Sequence, residues 1–124
     1  MDLEVPIDDT DGTFLNLNTL ALTHAFQKVR LYDVRGQRRK PTLDAHLPIE
    51  KVKLTNINKS PCENYLYVGN SCGSIYELDC RKDLSITKKY KGIGTSITDL
   101  LVTDSLLIAS SLDSYVRIFN RESR

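Results

Sequence analysis

Three stretches of this sequence decide the fold: Val29-Arg30-Leu31-Tyr32-Asp33, Ile75-Tyr76-Glu77-Leu78-Asp79 and Val116-Arg117-Ile118-Phe119-Asn120. Each is a short run of alternating residues that ends in a bulky side chain followed by Asp or Asn. Alternation with a period of two is typical of a β-strand that buries one face. The three final residues lie 46 and 41 residues apart, so the chain repeats one strand-containing unit about three times.

A repeat of roughly 40–45 residues with strands ending in this way indicates β-propeller blades of the WD-repeat type. The predicted fold class is all-β: a partial WD-repeat β-propeller with about three four-stranded antiparallel blades, the last incomplete. Because closed propellers contain roughly 4–8 blades, three blades cannot close a ring, and we expect a fragment or a chain that pairs with something else. Such an arc leaves sheet faces and edges uncovered.

The repeat divides the chain into an acidic N-terminal segment (1–18), a partial blade (19–47), a complete blade (48–92) and an incomplete blade (93–124). The first segment is predicted to be a solvated acidic loop or the remains of a preceding blade. Its Asp9-Thr10-Asp11-Gly12 stretch suggests a calcium loop, but Ile7 and Asn18 occupy the first and twelfth ligand positions, which excludes that site. Strands are predicted at 20–25, 29–34, 42–45, 52–55, 65–69, 74–79, 85–88, 97–102, 106–110 and 115–119, with a polar loop through 58–61.

Composition excludes several classes of protein. The net charge of +1 does not by itself require a nucleic-acid partner, and no apolar run is long enough to span a membrane. The acidic start of the chain argues against a secretory signal. Of the three cysteines, Cys72 and Cys80 are expected at opposite ends of a strand, roughly 25 Å apart, and Cys62 finds no further ligands. Free thiols in a reducing compartment are therefore predicted, with no metal site.

The blade positions are degenerate. Trp is absent, and Tyr32, Leu78 and Phe119 take the place of the apolar plug between blades, with Asp33 and Asp79 following the first two. The usual structural hydrogen-bond set of a blade needs a His before the inner strand and an Asp in a hairpin turn. His46 occupies the His position of one repeat, but Cys72 stands at the turn position that goes with it. Asp113 occupies the turn position of another repeat, but Gly92 lies near the His position there. No repeat therefore has both.

Two basic clusters are the best candidates for a binding surface. One comprises Lys28, Arg30, Arg35, Arg38, Arg39 and Lys40, and the other Arg81, Lys82, Lys88, Lys89 and Lys91. Both fall at the turn before the outer strand and on that strand, so adjacent blades would join them into one basic stripe at the lower rim. Such a stripe suits a phosphate backbone. The alternative is that these charges only protect exposed strand edges from pairing.

Catalysis is not expected. A nucleophile would need a base and a group that orients it, but His24 is predicted inside an apolar strand and His46 at a structural position. We therefore predict no enzyme activity, no cofactor and no small-molecule substrate. A propeller hydrolase that depends on His24 is the disfavoured alternative.

The residues also resemble one particular family, over about residues 20–120. Val29-Arg30-Leu31-Tyr32-Asp33 with Gln37-Arg38-Arg39, then Tyr67-Val68-Gly69-Asn70 and Glu77-Leu78-Asp79-Cys80-Arg81, resemble nucleolar WD-repeat proteins that assemble the large ribosomal subunit. Further likeness lies at Lys91-Gly92 and in residues 111–118. The Gln-Arg-Arg and Val-Gly-Asn stretches are unusual for ordinary WD repeats.

The resemblance implies a non-catalytic scaffold in a seven-bladed propeller that joins early nuclear precursors of the large subunit. It implies pre-ribosomal assembly proteins, precursor rRNA and a AAA-type ATPase as partners, and the nucleolus of the nucleus as location. The Lys-rich tail of that family does not follow in this sequence. The alternative is a WD-repeat adaptor of another complex, in ubiquitin ligation, signalling or trafficking, with a cytoplasmic location.

Overall fold

A computed structural model describes residues 9–16, 18–24, 28–35, 42–49, 53–62, 64–91 and 94–121. These residues form three antiparallel sheets. The first contains β1 (Asp9–Phe14), β2 (Thr19–His24), β3 (Lys28–Asp33) and β4 (Leu43–His46). The second contains β5 (Leu54–Lys59), β6 (Tyr65–Asn70), β7 (Ile75–Asp79) and β8 (Ser85–Tyr90), with one 3₁₀ turn at Cys80–Lys82. The third contains β9 (Ile97–Val102), β10 (Leu106–Ser111) and β11 (Val116–Asn120).

The sheets are arranged side by side. Within each sheet the strands follow chain order, and β1, β5 and β9 form one edge of their sheets. These three inner strands also contact one another, β1 beside β5 and β5 beside β9. This arrangement is that of a partial β-propeller, and it confirms the predicted all-β fold class.

The pattern of burial follows from this stacking. Every residue of β6 and β7 is buried, because the second sheet lies between the other two. In β11 the exposed residues alternate with half-buried ones, because only one face of the third sheet is covered. Two apolar clusters fill the spaces between sheets: one joins the first and second sheets, and the other joins the second and third. Burial of this apolar area, at about 25 cal/mol per Å², is the main force that holds the sheets together.

Two sequence-based predictions are corrected. Residues 9–14 were expected in a solvated acidic loop or in the remains of a preceding blade, but they form β1, which pairs with β2 and gives the first sheet four strands. The predicted polar loop at 58–61 begins too early, since β5 continues to Lys59. In both cases polar side chains concealed a strand, because inner strands here use polar groups to bond the neighbouring sheet.

The three residues predicted as plugs between blades lie near the ends of β3, β7 and β11. Tyr32 and Leu78 are fully buried near the ends of β3 and β7, and Phe119 packs against the cluster between the second and third sheets. Leu78 belongs to the cluster between the first and second sheets. Leu78 and Phe119 therefore pack between sheets, whereas Tyr32 is in neither of the two described clusters.

Polar side chains of the inner strands connect the sheets. Strands β1, β5 and β9 each shift register once, and the first residue after the shift is Asp11, Asn56 or Asp99. An Asp11 carboxylate oxygen accepts the N–H of Ile57 at 3.0 Å. The Asn56 amide donates to the carbonyl of Thr98 at 3.0 Å, and the Asn58 amide donates to that of Leu100 at 2.8 Å. These bonds satisfy backbone groups that would otherwise be unpaired at a sheet edge.

Candidate interaction surface

Two arginines from the predicted basic clusters are held in the same way. Asp33, at the end of β3, accepts hydrogen bonds from the backbone N–H of Arg35 at 3.0 Å and from its Nε at 3.1 Å. Asp79, at the end of β7, accepts from the N–H of Arg81 at 2.9 Å and from its Nε at 3.2 Å. The bonds with Arg35 hold the pKa of Asp33 below its usual value. Each guanidinium is thus fixed in direction, but its charge is compensated by a neighbouring carboxylate.

Arg81 has a second support. Its Nη2 donates to the Tyr65 hydroxyl at 2.9 Å, and its guanidinium carbon lies 5.4 Å from the centre of the Tyr65 ring. A planar guanidinium held on two sides loses little further freedom when it binds a ligand. Arg81 is therefore held by a carboxylate on one side and by a tyrosine on the other.

The lysines of the second cluster spread along the whole outer strand β8. Lys82 lies in the turn before it and Lys91 directly after it, and both are exposed. Lys88 Nζ lies 5.2 Å from the Tyr90 ring centre, and Lys89 Nζ lies 5.5 Å from that of Tyr76. Six residues of strand separate the two ends by roughly 20 Å. The basic groups therefore follow the length of the outer strand rather than one rim.

Part of the first cluster cannot be placed. Arg38, Arg39 and Lys40 lie outside the described residues. Arg30, which the sequence grouped with them, pairs with Asp44 at 3.3 Å. A continuous basic stripe across the two blades stays a prediction.

The predicted structural His and Asp have different surroundings. His46 ends β4 and is exposed. Asp113 lies in the β10–β11 turn, where its carboxylate accepts hydrogen bonds from Arg117 Nη2 at 2.7 Å, from the Ser111 hydroxyl and from the N–H of Tyr115 at 3.2 Å. Asp113 therefore organises its hairpin without a histidine.

The Asp113 carboxyl is expected to titrate well below the usual range of an aspartate. The hydrogen bond from Arg117 is the main cause, and it lowers the pKa of Asp113. Because the pKa of Asp113 is lower in the folded state, its bond with Arg117 stabilises the fold fully above the ordinary aspartate pKa of about 3.9. This contribution to stability disappears as the pH falls through the folded pKa. An NMR titration of the side-chain carboxyl should show this, and Arg117→Met should return the pKa towards its ordinary range. An unchanged titration in that variant would contradict the assigned cause.

One buried polar network was not predicted from the sequence. Glu77 on β7 is fully buried and accepts hydrogen bonds from the Tyr67 hydroxyl and, at 2.7 Å, from the Thr87 hydroxyl. Arg121 directly follows β11 and donates from Nε to the Tyr67 oxygen at 2.6 Å. Its Nη1 donates to the Thr103 carbonyl. Burial and the bond to Glu77 raise the pKa of Tyr67, so that it remains a neutral donor. This network ties the second sheet to the third.

The cysteines are placed as predicted. Cys72 lies in the β6–β7 turn and Cys80 directly after β7, and all three thiols are free. Burial raises the pKa of Cys80 to about 12, which makes it a poor nucleophile. Burial acts in the same direction on Cys62, but hydrogen bonds with Ser60 and the backbone outweigh it and lower its pKa.

The unusual Val68-Gly69-Asn70 stretch has an architectural explanation. A Cβ on Gly69 would lie 2.9 Å from Cβ of Ile97 on the third sheet, so only glycine permits this approach of the two sheets. The buried Asn70 side chain accepts the N–H groups of Cys72 at 3.0 Å and Ser74 at 2.9 Å, which shapes the turn. Both residues therefore have a role in the fold.

Two further properties concern the described part of the chain only. There, no three His, Cys, Asp or Glu side chains lie together in a way that could hold a metal ion. In the same residues, no helix is long and apolar enough to cross a membrane.

Comparison with known proteins finds similarity to proteins that carry the same name in three organisms. The chain is 33% identical over 121 residues to WD repeat-containing protein 74 of Mus musculus. It is 32% identical over the same length to the proteins of that name from Bos taurus and Homo sapiens. In each case the match covers 95% of this chain and 31% of the relative, so the chain spans about a third of the length of these proteins. No protein-family model matches the chain.

A solved structure supports the fold independently. A crystal structure of the computationally designed Ika8 protein superposes with a TM-score of 0.71 over 91% of this chain and 33% of that one. At 16% identity this likeness shows the fold alone. Together with the three sheets, the named relatives fit a partial β-propeller.

Proposed function

We propose that this chain is a non-catalytic scaffold in assembly of the large ribosomal subunit, and that it binds pre-ribosomal proteins and precursor rRNA through its outer basic side chains. The coarser part of this proposal, a protein-interaction scaffold, follows from the WD-repeat relatives, since such proteins are generally docking platforms. The nucleolus as location and a AAA-type ATPase among the partners belong to the finer proposal.

The observation that carries the finer proposal is similarity over 95% of the chain to proteins of one name, together with the Gln37-Arg38-Arg39 stretch. In the sequence that stretch follows strand β3 and the neutralised Arg35, and it adds two further cations. On the next sheet, Lys82 and Lys91 extend the exposed positive charge along β8. Several Lys and Arg side chains in such a row favour a phosphate backbone.

Reversing charge at Arg38 and Arg39 is expected to weaken association with large-subunit precursor particles roughly tenfold, because two phosphate contacts are lost and two repulsions are gained. The measurement is recovery of precursor rRNA with the tagged double variant Arg38→Glu/Arg39→Glu. Lys82→Glu should have a smaller effect in the same direction. Lys53→Glu provides a matched control, since Lys53 is exposed next to an inner strand. Equal recovery of all four proteins would exclude the outer basic side chains as the contact.

A second function is favoured by one observation: Gly69 and Asn70 are explained by sheet contact and turn geometry alone. Part of the family resemblance therefore needs no ribosomal partner. The second candidate is a WD-repeat adaptor of another complex, such as one in ubiquitin ligation, signalling or trafficking. A cytoplasmic location with no bound precursor rRNA would favour it.

A further inference from the structure

The third sheet has one uncovered face, which we term the open face: Asp99 and Leu101 of β9, Ile108 and Ser110 of β10, and Val116 and Ile118 of β11. Leu101, Val116 and Ile118 are 57%, 62% and 64% exposed. A shallow groove of about 150 Å³ runs between these strands. A contiguous apolar patch of this kind marks an interaction site.

The corresponding faces of the other two sheets are buried. The strand pairing makes Ile75 the equivalent of Val116, and Tyr67 the equivalent of Ile108. Ile75 and Tyr67 are fully buried in the cluster between the second and third sheets. Val29 takes this place in the first sheet and is buried against the second. The open face therefore corresponds in position to faces that pack against a neighbouring sheet.

Asp99 shows what kind of partner fits. It is the first residue after the register shift of its inner strand, as Asp11 is on β1. Asp11 accepts the N–H of Ile57, which is the second residue after the register shift on the next inner strand. Asp99 thus stands where it would accept a backbone N–H from the inner strand of a further sheet.

The chain carries a matching surface at its other end, on β1. Gly12 is the second residue after the register shift of β1, as Ile57 is on β5. Phe14 lies at the position of Val102, which packs against the second sheet. Phe14 is 54% exposed, and it is the one large exposed hydrophobic side chain in the described residues outside the third sheet and its turn. Gly12 and Phe14 are termed the leading edge.

We propose that the open face binds the leading edge of a second copy of this chain, head to tail. Asp99 then accepts the N–H of Gly12 of the second copy, while Phe14 of that copy covers Leu101 and its apolar neighbours. Farther out on the leading side Leu22 and Tyr32 are already buried, which confines the contact to β1. Two copies bring six sheets together, within the 4–8 that close a propeller. The same heterologous contact is then made twice, and the pair closes.

Sedimentation equilibrium of the intact chain tests this proposal. At tens of micromolar the wild type should sediment as one species of twice 14.1 kDa. Leu101→Lys/Ile108→Lys should weaken association at least about tenfold, because these paired positions of β9 and β10 adjoin β1 of the second copy and two lysines would be buried there without partners. Leu112→Lys is the control, since Leu112 is 70% exposed in the β10–β11 turn, away from the open face. Its association should be unchanged.

A mixing experiment tests the head-to-tail geometry. Phe14→Lys should be monomeric alone, and so should Leu101→Lys/Ile108→Lys. When they are mixed, the intact leading edge of one variant meets the intact open face of the other, and a 1:1 complex should form. Dimers of Phe14→Lys alone would mean that two open faces pair with each other, which overturns the proposal.

Two results with the wild type would also overturn it. A folded chain that stays at 14.1 kDa at every concentration would leave the open face to a blade of another polypeptide. Open-ended polymers would show that two copies do not close. Hydrogen exchange at the Gly12 amide needs no variant: it should slow as concentration rises, and an exchange rate independent of concentration would contradict the Asp99 bond.

Discussion

Replacing Tyr67 by Phe is expected to lower the free energy of unfolding by about 3 kcal/mol, because it leaves two buried charged groups short of a partner. The Tyr67 hydroxyl donates to Glu77 and accepts from Arg121, and both of these residues are buried. Removing the one oxygen between them breaks a charged network that joins two sheets. Urea unfolding followed by circular dichroism measures the change.

Tyr115→Phe is the matched control for this prediction. Tyr115 is 67% exposed in the β10–β11 turn, so loss of its hydroxyl should change stability by less than about 0.5 kcal/mol. Equal stability of the two variants would mean that the buried network contributes nothing to the contact between the second and third sheets.

Replacing Leu78 by Ala is expected to cost about 3 kcal/mol, within the range of about 2–5 for such changes in a packed core. Leu78 is fully buried at the plug position and packs in the cluster between the first and second sheets. The loss should therefore separate these two sheets, and amide exchange in β1 and β5 should accelerate together. One hydrogen-exchange experiment measures both the loss of stability and the faster amide exchange in the two strands.

Leu101→Ala serves as the control, because the same atoms are removed from a side chain that is more than half exposed. It should cost well under about 1 kcal/mol in dilute solution. A loss as large as that of Leu78→Ala would show that the plug position has no special part in joining the sheets.

Much of the fold could be predicted from the chain because its strands alternate and repeat. Residues 65–69 and 74–79 coincide with β6 and β7, although every side chain there is buried and the alternation carries no polar face. Strand β1 escaped prediction because its Asp and Gly residues are rare in strands. Its place in the sheet depends on the bond from Asp11 to Ile57, 46 residues away, and no local pattern reveals such a bond.

The basic residues of the candidate surface could be predicted from the sequence, but not which of their charges a carboxylate compensates. Runs of Lys and Arg are visible in the sequence, and so is the repeated Asp-x-Arg spacing of Asp33 with Arg35 and Asp79 with Arg81. The compensation of both arginines appears only in the geometry of the turns. As a result, the uncompensated positive charge of the second sheet is carried by lysines such as Lys82 and Lys91 rather than by Arg81.

The buried network lies beyond sequence reasoning for a different reason. Glu77 and Tyr67 occupy opposite positions on paired strands, but Arg121 reaches them from the end of another sheet, 54 residues from Tyr67. Only the packing of the second sheet against the third brings the three together. A glutamate inside an otherwise apolar strand is the one signal that could have pointed to it.

Recovery of large-subunit precursors on the tagged wild-type chain from nuclear extract tests the central claim most directly. The proposed scaffold should retain both precursor rRNA and assembly proteins of the large subunit, and rising salt should release the RNA. Folded, soluble chain that retains neither would contradict a role in ribosome assembly and would favour an adaptor of another complex.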